Sequence, residues 1–189
     1  QLTSLNLSNN VLLELIWCGN NFISNLDVSN NVKLKQLTCS RNPLNTLDVS
    51  TNTVLELLWC LYNGLSVLDV SHNTLLTHLS CSGNQLTTLN VNNNTALTNL
   101  ECYANPLIKL YIKNGMNEIL NFANNLGLVA ICADESQLSD VQAKAATYGN
   151  LNCLIVSDCS LRSEDFAVSD PITIFPNPTE SILNIENKD

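Results

Sequence analysis

The sequence predicts a solenoid of parallel β-strands and short turns, an α/β-class fold that is mostly β and ends in a C-terminal cap containing one helix. Three regularities favour it, because a leucine, a cysteine and an asparagine each recur every 21 residues without an insertion. The leucines are Leu5, Leu26, Leu47, Leu68, Leu89 and Leu110. The cysteines are Cys18, Cys39, Cys60, Cys81 and Cys102, and the asparagines are Asn21, Asn42, Asn63, Asn84 and Asn105. One such unit cannot bury its leucines alone, so stacked units must share a core.

The repeating unit reads L-x-x-L-x-C-x-x-N-x-L-x-x-L-D-V-S-x-N-x-x and is shown most cleanly by residues 34–54. It resembles the leucine-rich repeat, with Cys where the third Leu usually stands, which implies a leucine-rich-repeat solenoid. The unit has two similar halves, one with Cys and one with Leu-Asp-Val-Ser, so strand-like segments are possible on both walls. We assign the Cys half to the main parallel sheet, since its spacing matches the strand signature of the repeat, and the reverse assignment stays open.

The repeat pattern predicts three regions along the 189 residues. Residues 1–110 form a solenoid of about five 21-residue repeats. Residues 111–160 form an irregular last turn and the C-terminal cap, because the period breaks after the last ladder leucine. Residues 161–189 are a polar linker followed by the start of a separate segment.

The cap contains a predicted helix at about residues 139–148. Ser139 and Gln142 fit an S-x-x-Q capping box at its start, and Gly149 stops it. A short apolar strand at residues 151–156 follows the helix. Together these elements should cover the open edge of the last repeat, which would otherwise present unpaired backbone groups.

The eight cysteines fall into two classes. The five ladder cysteines should point inward as compact apolar core residues with inert thiols. Cys132, Cys153 and Cys159 lie outside the ladder and bracket the cap helix, so we expect one disulfide among them and one free thiol. The sequence leaves open which two of the three pair.

The tail carries the motif I-x-I-F-P-N-P-T at residues 172–179, followed by L-N-I at residues 183–185. This segment resembles the opening strands of the C-terminal sorting domain read by the type IX secretion system of Bacteroidetes, although such domains continue beyond the equivalent of Asp189. The cap motifs I-C-A-D-E and Y-G-x-x-N-C are similar to the end of flavobacterial surface leucine-rich-repeat proteins. The resemblance implies a secreted or outer-cell-surface protein whose residues 170–189 engage the type IX machinery. The alternative interpretation of these residues is an edge strand with a proline-flanked turn.

Charge and motifs argue against several functions. The net charge of −9, from 8 basic and 17 acidic residues, gives no positive field for nucleic acid. The apolar runs are too short for membrane insertion. No G-x-S-x-G, H-E-x-x-H or phosphate-binding glycine loop is present. We therefore predict no enzymatic activity, no cofactor and no bound metal.

The outward positions of the Cys half predict a ligand-binding face, because large apolar side chains there gain nothing from exposure to water. They are Leu15, Trp17, Leu57, Trp59, Leu61, Tyr62 and Tyr103. A protein partner, in adhesion or host interaction, is the leading ligand, and a glycan stacked on Trp17 and Trp59 is the alternative. A third hypothesis is a structural spacer within a larger surface protein, and self-association or a further N-terminal portion could also cover this patch.

The other half of the repeat carries an acidic column of Asp27, Asp48 and Asp69 beside Ser29, Ser50 and Ser71. A calcium ion could relieve repulsion between stacked carboxylates. The favoured interpretation is a solvated convex face on which Asp and Ser bond nearby backbone groups, because the column supplies a line of oxygens rather than a converging set.

Overall fold

The computed structural model describes residues 1–160, which form a stack of short turns around two parallel sheets and one core. Within these residues, one sheet has six strands in the order β1-β2-β3-β4-β6-β8 and the other has four in the order β10-β9-β7-β5. The strands are β1 Leu15–Trp17, β2 Gln36–Thr38, β3 Leu57–Trp59, β4 His78–Ser80, β5 Thr88–Asn90, β6 Asn99–Glu101, β7 Lys109–Ile112, β8 Ile119–Asn121, β9 Ala130–Ala133 and β10 Leu154–Val156. The predicted leucine-rich-repeat solenoid with one helix is confirmed.

The six-stranded sheet comes from the Cys half of the repeat, as predicted. The central residue of each strand is apolar and buried, and the parallel register stacks Leu37 on Leu58 and Leu58 on Leu79. Its two neighbours in the strand point outward, because side chains alternate across a strand. Each strand therefore contributes one leucine-type residue to the core and two positions to the outer face.

The asparagine ladder ties each turn to its neighbours. Asn42 donates from Nδ2 to the carbonyl oxygens of Cys39 at 2.9 Å and Cys18 at 3.0 Å. Its Oδ1 accepts from the backbone N–H of Ile23 at 3.0 Å. Because turns in the chain leave backbone groups unpaired, a buried amide at this point satisfies donors and acceptors that would otherwise cost free energy.

The cysteines occupy the positions predicted for them. All five ladder thiols are buried and free, and desolvation raises the pKa of each, in the case of Cys102 to about 12. Such thiols are poor nucleophiles, since the thiolate is the reactive form. Among the cap cysteines, Cys132 pairs with Cys159 and Cys153 stays free, which resolves the pairing that the sequence left open.

The second wall is only partly a sheet. Strands line it from β5 onward, whereas the Leu-Asp-Val-Ser halves around Leu26, Leu47 and Leu68 form turns and extended chain without strand pairing. The side-chain turn alone does not account for the difference, because Asn90 accepts the same hydrogen bond from the N–H of Asn92 at 2.9 Å and still lies in β5.

The turn after Leu110 is more regular than predicted. Strand β8 continues the six-stranded sheet, and Asn99 pairs with Ile119, a step of 20 rather than 21 residues. Phe122 takes the cysteine position and is buried, with its ring edge-on to Tyr148 at 5.0 Å between centroids. The irregularity is therefore a one-residue deletion, which shifted the pattern out of the 21-residue frame.

The cap helix, α1, spans Leu138–Thr147 and follows a 3-10 turn at Glu135–Gln137. The prediction of a Ser139–Gln142 capping box was wrong, because Ser139 lies inside the helix. The chain instead turns at Asp134, whose N–H donates to Oε1 of Gln137 at 3.4 Å, while the N–H of Gln137 donates to the Asp134 carbonyl at 2.9 Å.

The remaining cap elements follow the helix. The chain leaves α1 at Gly149, with a φ of +84° that favours glycine. Strand β10 then occupies Leu154–Val156 and pairs in parallel with β9. The linker and sorting-like segment predicted at residues 161–189 lie outside the described residues.

Candidate functional site

Of the seven predicted binding residues, Leu15, Trp17, Leu57 and Trp59 lie on strands of the six-stranded sheet, and Leu61, Tyr62 and Tyr103 lie in the turns that follow β3 and β6. The first and third positions of each strand form columns, in which Leu15 aligns with Gln36 and Leu57, and Trp17 aligns with Thr38 and Trp59. The indole of Trp17 is 75% exposed and that of Trp59 45%. Leu15 and Tyr62 are also exposed, and the remaining three are half-buried: Leu57, Leu61 and Tyr103.

Tyr62 is held in a fixed position across the neighbouring turn. Its ring lies over Gly83, where an added Cβ would be 2.4 Å from Cδ1 of Tyr62. The guanidinium of Arg41 lies 4.7 Å from the ring centroid, a cation–π distance, and the Tyr62 hydroxyl is 3.5 Å from that of Tyr103. This hydrogen bond, followed by desolvation, raises the pKa of Tyr103. These contacts place the ring against the neighbouring turn.

Ile119 belongs to the same face and was missed by the sequence analysis. It is the first residue of β8, 74% exposed, and it stands in the column of Leu15 and Leu57. The 21-residue frame placed this segment in an irregular turn. Matching Leu120, Phe122 and Asn125 to the leucine, cysteine and asparagine of the repeat would have found it.

Charged residues border the face just before the strands. Lys35 bonds Glu14 at 2.8 Å, which lowers the pKa of Glu14 and raises that of Lys35. Both side chains are exposed, so the pair contributes little to folding. The effect of the pair is local, because Lys35 neutralises the negative charge of Glu14 next to Leu15.

The acidic column of the second wall is engaged with its own backbone. The N–H groups of Ser29, Ser50 and Ser71 each donate to Oδ1 of the Asp two residues earlier at 2.9 Å. Hydrogen bonds from these serines lower the pKa of Asp27, Asp48 and Asp69. Within residues 1–160 no group of three or more His, Cys, Asp or Glu is placed to hold a metal ion. The geometry favours the solvated-face interpretation over calcium.

In the part of the chain that the structure describes, no helix combines the length and apolar character needed to cross a membrane. No protein-family model matches the sequence, and no curated protein matches it.

Solved structures do resemble this chain. The functional domain of InlJ from Listeria monocytogenes, which includes a cysteine ladder, matches with a TM-score of 0.51 and 32% identity. That match covers 79% of this chain and 35% of the InlJ chain. An internalin of the same organism, InlF, matches with a TM-score of 0.50 and 18% identity, over 79% of this chain and 56% of its own. The chain thus spans about a third of one and just over half of the other. Together with the parallel register and the ladders of Cys and Asn, these matches show that the chain folds as a leucine-rich-repeat solenoid.

Proposed function

We propose that this chain is a non-enzymatic binding module that recognises a protein partner, in adhesion or host interaction, through the outer face of the six-stranded sheet. The observation that carries the proposal is the cluster of exposed apolar and aromatic side chains on that face, with Trp17 75% exposed. Burial of such groups in a partner gains roughly 25 cal/mol per Å² of apolar area. The similarity to the functional domain of InlJ supports the proposal at the level of the fold.

A protein fits this face better than a glycan does. Leu15, Leu57 and Ile119 form an aliphatic column beside the aromatic residues, and aliphatic side chains add area without the flat surface that sugars stack on. Trp and Tyr are enriched among the residues that carry most of the binding energy at protein interfaces, and aliphatic neighbours add buried apolar area around them. A glycan remains the second candidate, because Trp17 and Trp59 expose two indoles in one column.

The proposal includes export to the cell surface. The disulfide between Cys132 and Cys159 supports passage through an oxidising compartment, since such bonds are rare in the cytosol. The motif at residues 172–179 is the basis for assigning the type IX route. The test fuses residues 161–189 to a periplasm-directed fluorescent protein in a Bacteroidetes host. Surface delivery that requires the type IX translocon and is lost in P176A/P178A supports the route, and delivery in a translocon mutant contradicts it.

The binding test pans a phage-displayed peptide library against the whole chain. Selected clones are then compared on Trp17→Ser/Trp59→Ser and on Val67→Ser, which removes an apolar side chain that is 72% exposed on the other wall. We expect binding to survive Val67→Ser and to fall at least about tenfold in the double variant. Clones that bind all three proteins equally would show that the partner uses another surface.

The glycan alternative is tested separately with a polysaccharide panel, read out by tryptophan fluorescence. Trp17 and Trp59 are the two tryptophans of the chain, so a saturable shift reports this face directly. A shift without any peptide binder would replace the protein partner by a glycan.

A further inference from the structure

A shallow cavity lies on the six-stranded face between β3, β4 and β6. Its floor is Ser80, which is 4% exposed, and its opposite sides are Trp59 and Glu101. Both of these residues register against Ser80, one on each neighbouring strand. Because parallel strands are about 4.8 Å apart, the two side chains stand on backbones roughly 10 Å apart, with a small residue between them. His78, Leu79 and Asn99 complete the lining.

The Glu101 carboxylate is positioned at the side of this cavity. The Ser80 hydroxyl donates to Oε2 of Glu101 at 2.8 Å. Within residues 1–160, the other oxygen, Oε1, accepts no hydrogen bond and Glu101 forms no ion pair. Elsewhere on this wall, Lys35 bonds Glu14 and the guanidinium of Arg41 lies over the ring of Tyr62. The cavity therefore presents an anionic acceptor opposite an aromatic surface, with the imidazole of His78 also in its lining.

We propose that this cavity accepts an arginine side chain of the protein partner, stacked on the indole of Trp59 and hydrogen-bonded to Glu101. This inference rests on the proposed function and names the chemistry that the face selects. A cation is attracted to an indole face, and a planar guanidinium can stack on the ring while its N–H groups reach a carboxylate. The same face already holds one such pair, since the Arg41 guanidinium lies 4.7 Å from the centroid of Tyr62. A net charge of −9 favours the approach of a basic partner.

The test uses the whole chain with Trp17→Phe, so that Trp59 is its one tryptophan. The probes are acetyl-Gly-Arg-Gly-amide and its citrulline counterpart, which has the same shape without the charge, titrated at low ionic strength. We expect a saturable change in Trp59 emission with the arginine peptide and about fivefold weaker binding of the citrulline peptide. Glu101→Gln should abolish that difference.

The matched control is Glu56→Gln, which removes the same charge from an exposed residue that does not line the cavity. The difference between the two peptides should persist in this variant. Equal losses in the two variants would show a long-range effect of net charge and overturn the inference. So would an equal response to both peptides, or no response to either.

Failure of this inference is distinguishable from failure of the proposed function. If phage clones still require Trp17 and Trp59 while the arginine peptide has no effect, the arginine site is wrong and the binding face stands. If the arginine peptide binds through Glu101 but the selected clones bind Trp17→Ser/Trp59→Ser and wild type equally, the arginine site stands and the sheet-face function is wrong.

Discussion

The two walls of the solenoid repeat with the same period and share one core, but their outer faces differ. The six-stranded wall places large apolar side chains such as Trp17 and Trp59 outward, where they are exposed to water. The opposite wall places Asp27 and its equivalents outward, each accepting a hydrogen bond from a serine two residues later. On the opposite wall the carboxylates are hydrogen-bonded to the chain's own backbone. The six-stranded wall exposes apolar side chains to water. The repeat thus builds one solvated face and one apolar face, which we propose binds a partner.

The sharpest form of this comparison lies within one strand, between Leu58 and Trp59. Leu58 is fully buried, so Leu58→Ala should leave a cavity and lower the free energy of unfolding by about 2–5 kcal/mol. Trp59→Ala should lower it far less, because the indole is 45% exposed. Urea unfolding of the two variants measures both. A comparable loss in Trp59→Ala would mean that this residue serves the core and would remove it from the binding face.

The cap disulfide is attached to the four-stranded wall, so removing it tests whether the two walls unfold independently. Cys132 lies on β9 of the four-stranded sheet, and its bond to Cys159 closes a loop of sequence separation 27. Cys132→Ser/Cys159→Ser should lower the free energy of unfolding by about 3 kcal/mol. Hydrogen exchange should increase mainly at β9 and β10, leaving β1 to β3 protected. Uniform deprotection would show that the walls unfold as one unit.

Thiol titration of the denatured wild type should find six free thiols, the ladder cysteines and Cys153.

Gly83 tests whether the proposed binding wall is ordered before a ligand binds. Its φ is +68° and the ring of Tyr62 lies directly over it, so Gly83→Ala should cost about 1 kcal/mol in backbone strain and displace the ring. The displacement should be visible as loss of the Tyr62 to Tyr103 contact in NMR spectra. Gly115→Ala is the control, because its φ is +81° and nothing lies within 4 Å of an added Cβ. Identical spectra around Tyr103 in both variants would contradict the fixed position of Tyr62.

The sequence predicted the residues that recur in every repeat and missed those that do not. Leu58, Cys60 and Asn63 could be placed from the sequence because each recurs with one period and each buries or bonds the same groups in every turn. Ile119 could not, since a single deleted residue moved it out of the frame. The Ser80 to Glu101 bond and the position of Tyr62 over Gly83 depend on side-chain direction between turns, which spacing alone does not determine. The capping residues before α1 were misplaced because a 3-10 turn precedes the helix.

The acidic column gives the smallest expected effect. Hydrogen bonds from Ser50 lower the pKa of Asp48, so its contribution to stability is present above the pKa of the unfolded chain and is lost as the pH falls through the lower folded value. Because Asp48 is exposed, Asp48→Asn should change the free energy of unfolding at pH 7 by well under about 1 kcal/mol. The variant should also flatten the acid limb of the stability curve slightly, and should be indifferent to added calcium. A calcium-dependent rise in the wild-type melting temperature that Asp48→Asn abolishes would make this wall a cation site, and the contrast between a solvated wall and a binding wall would no longer hold.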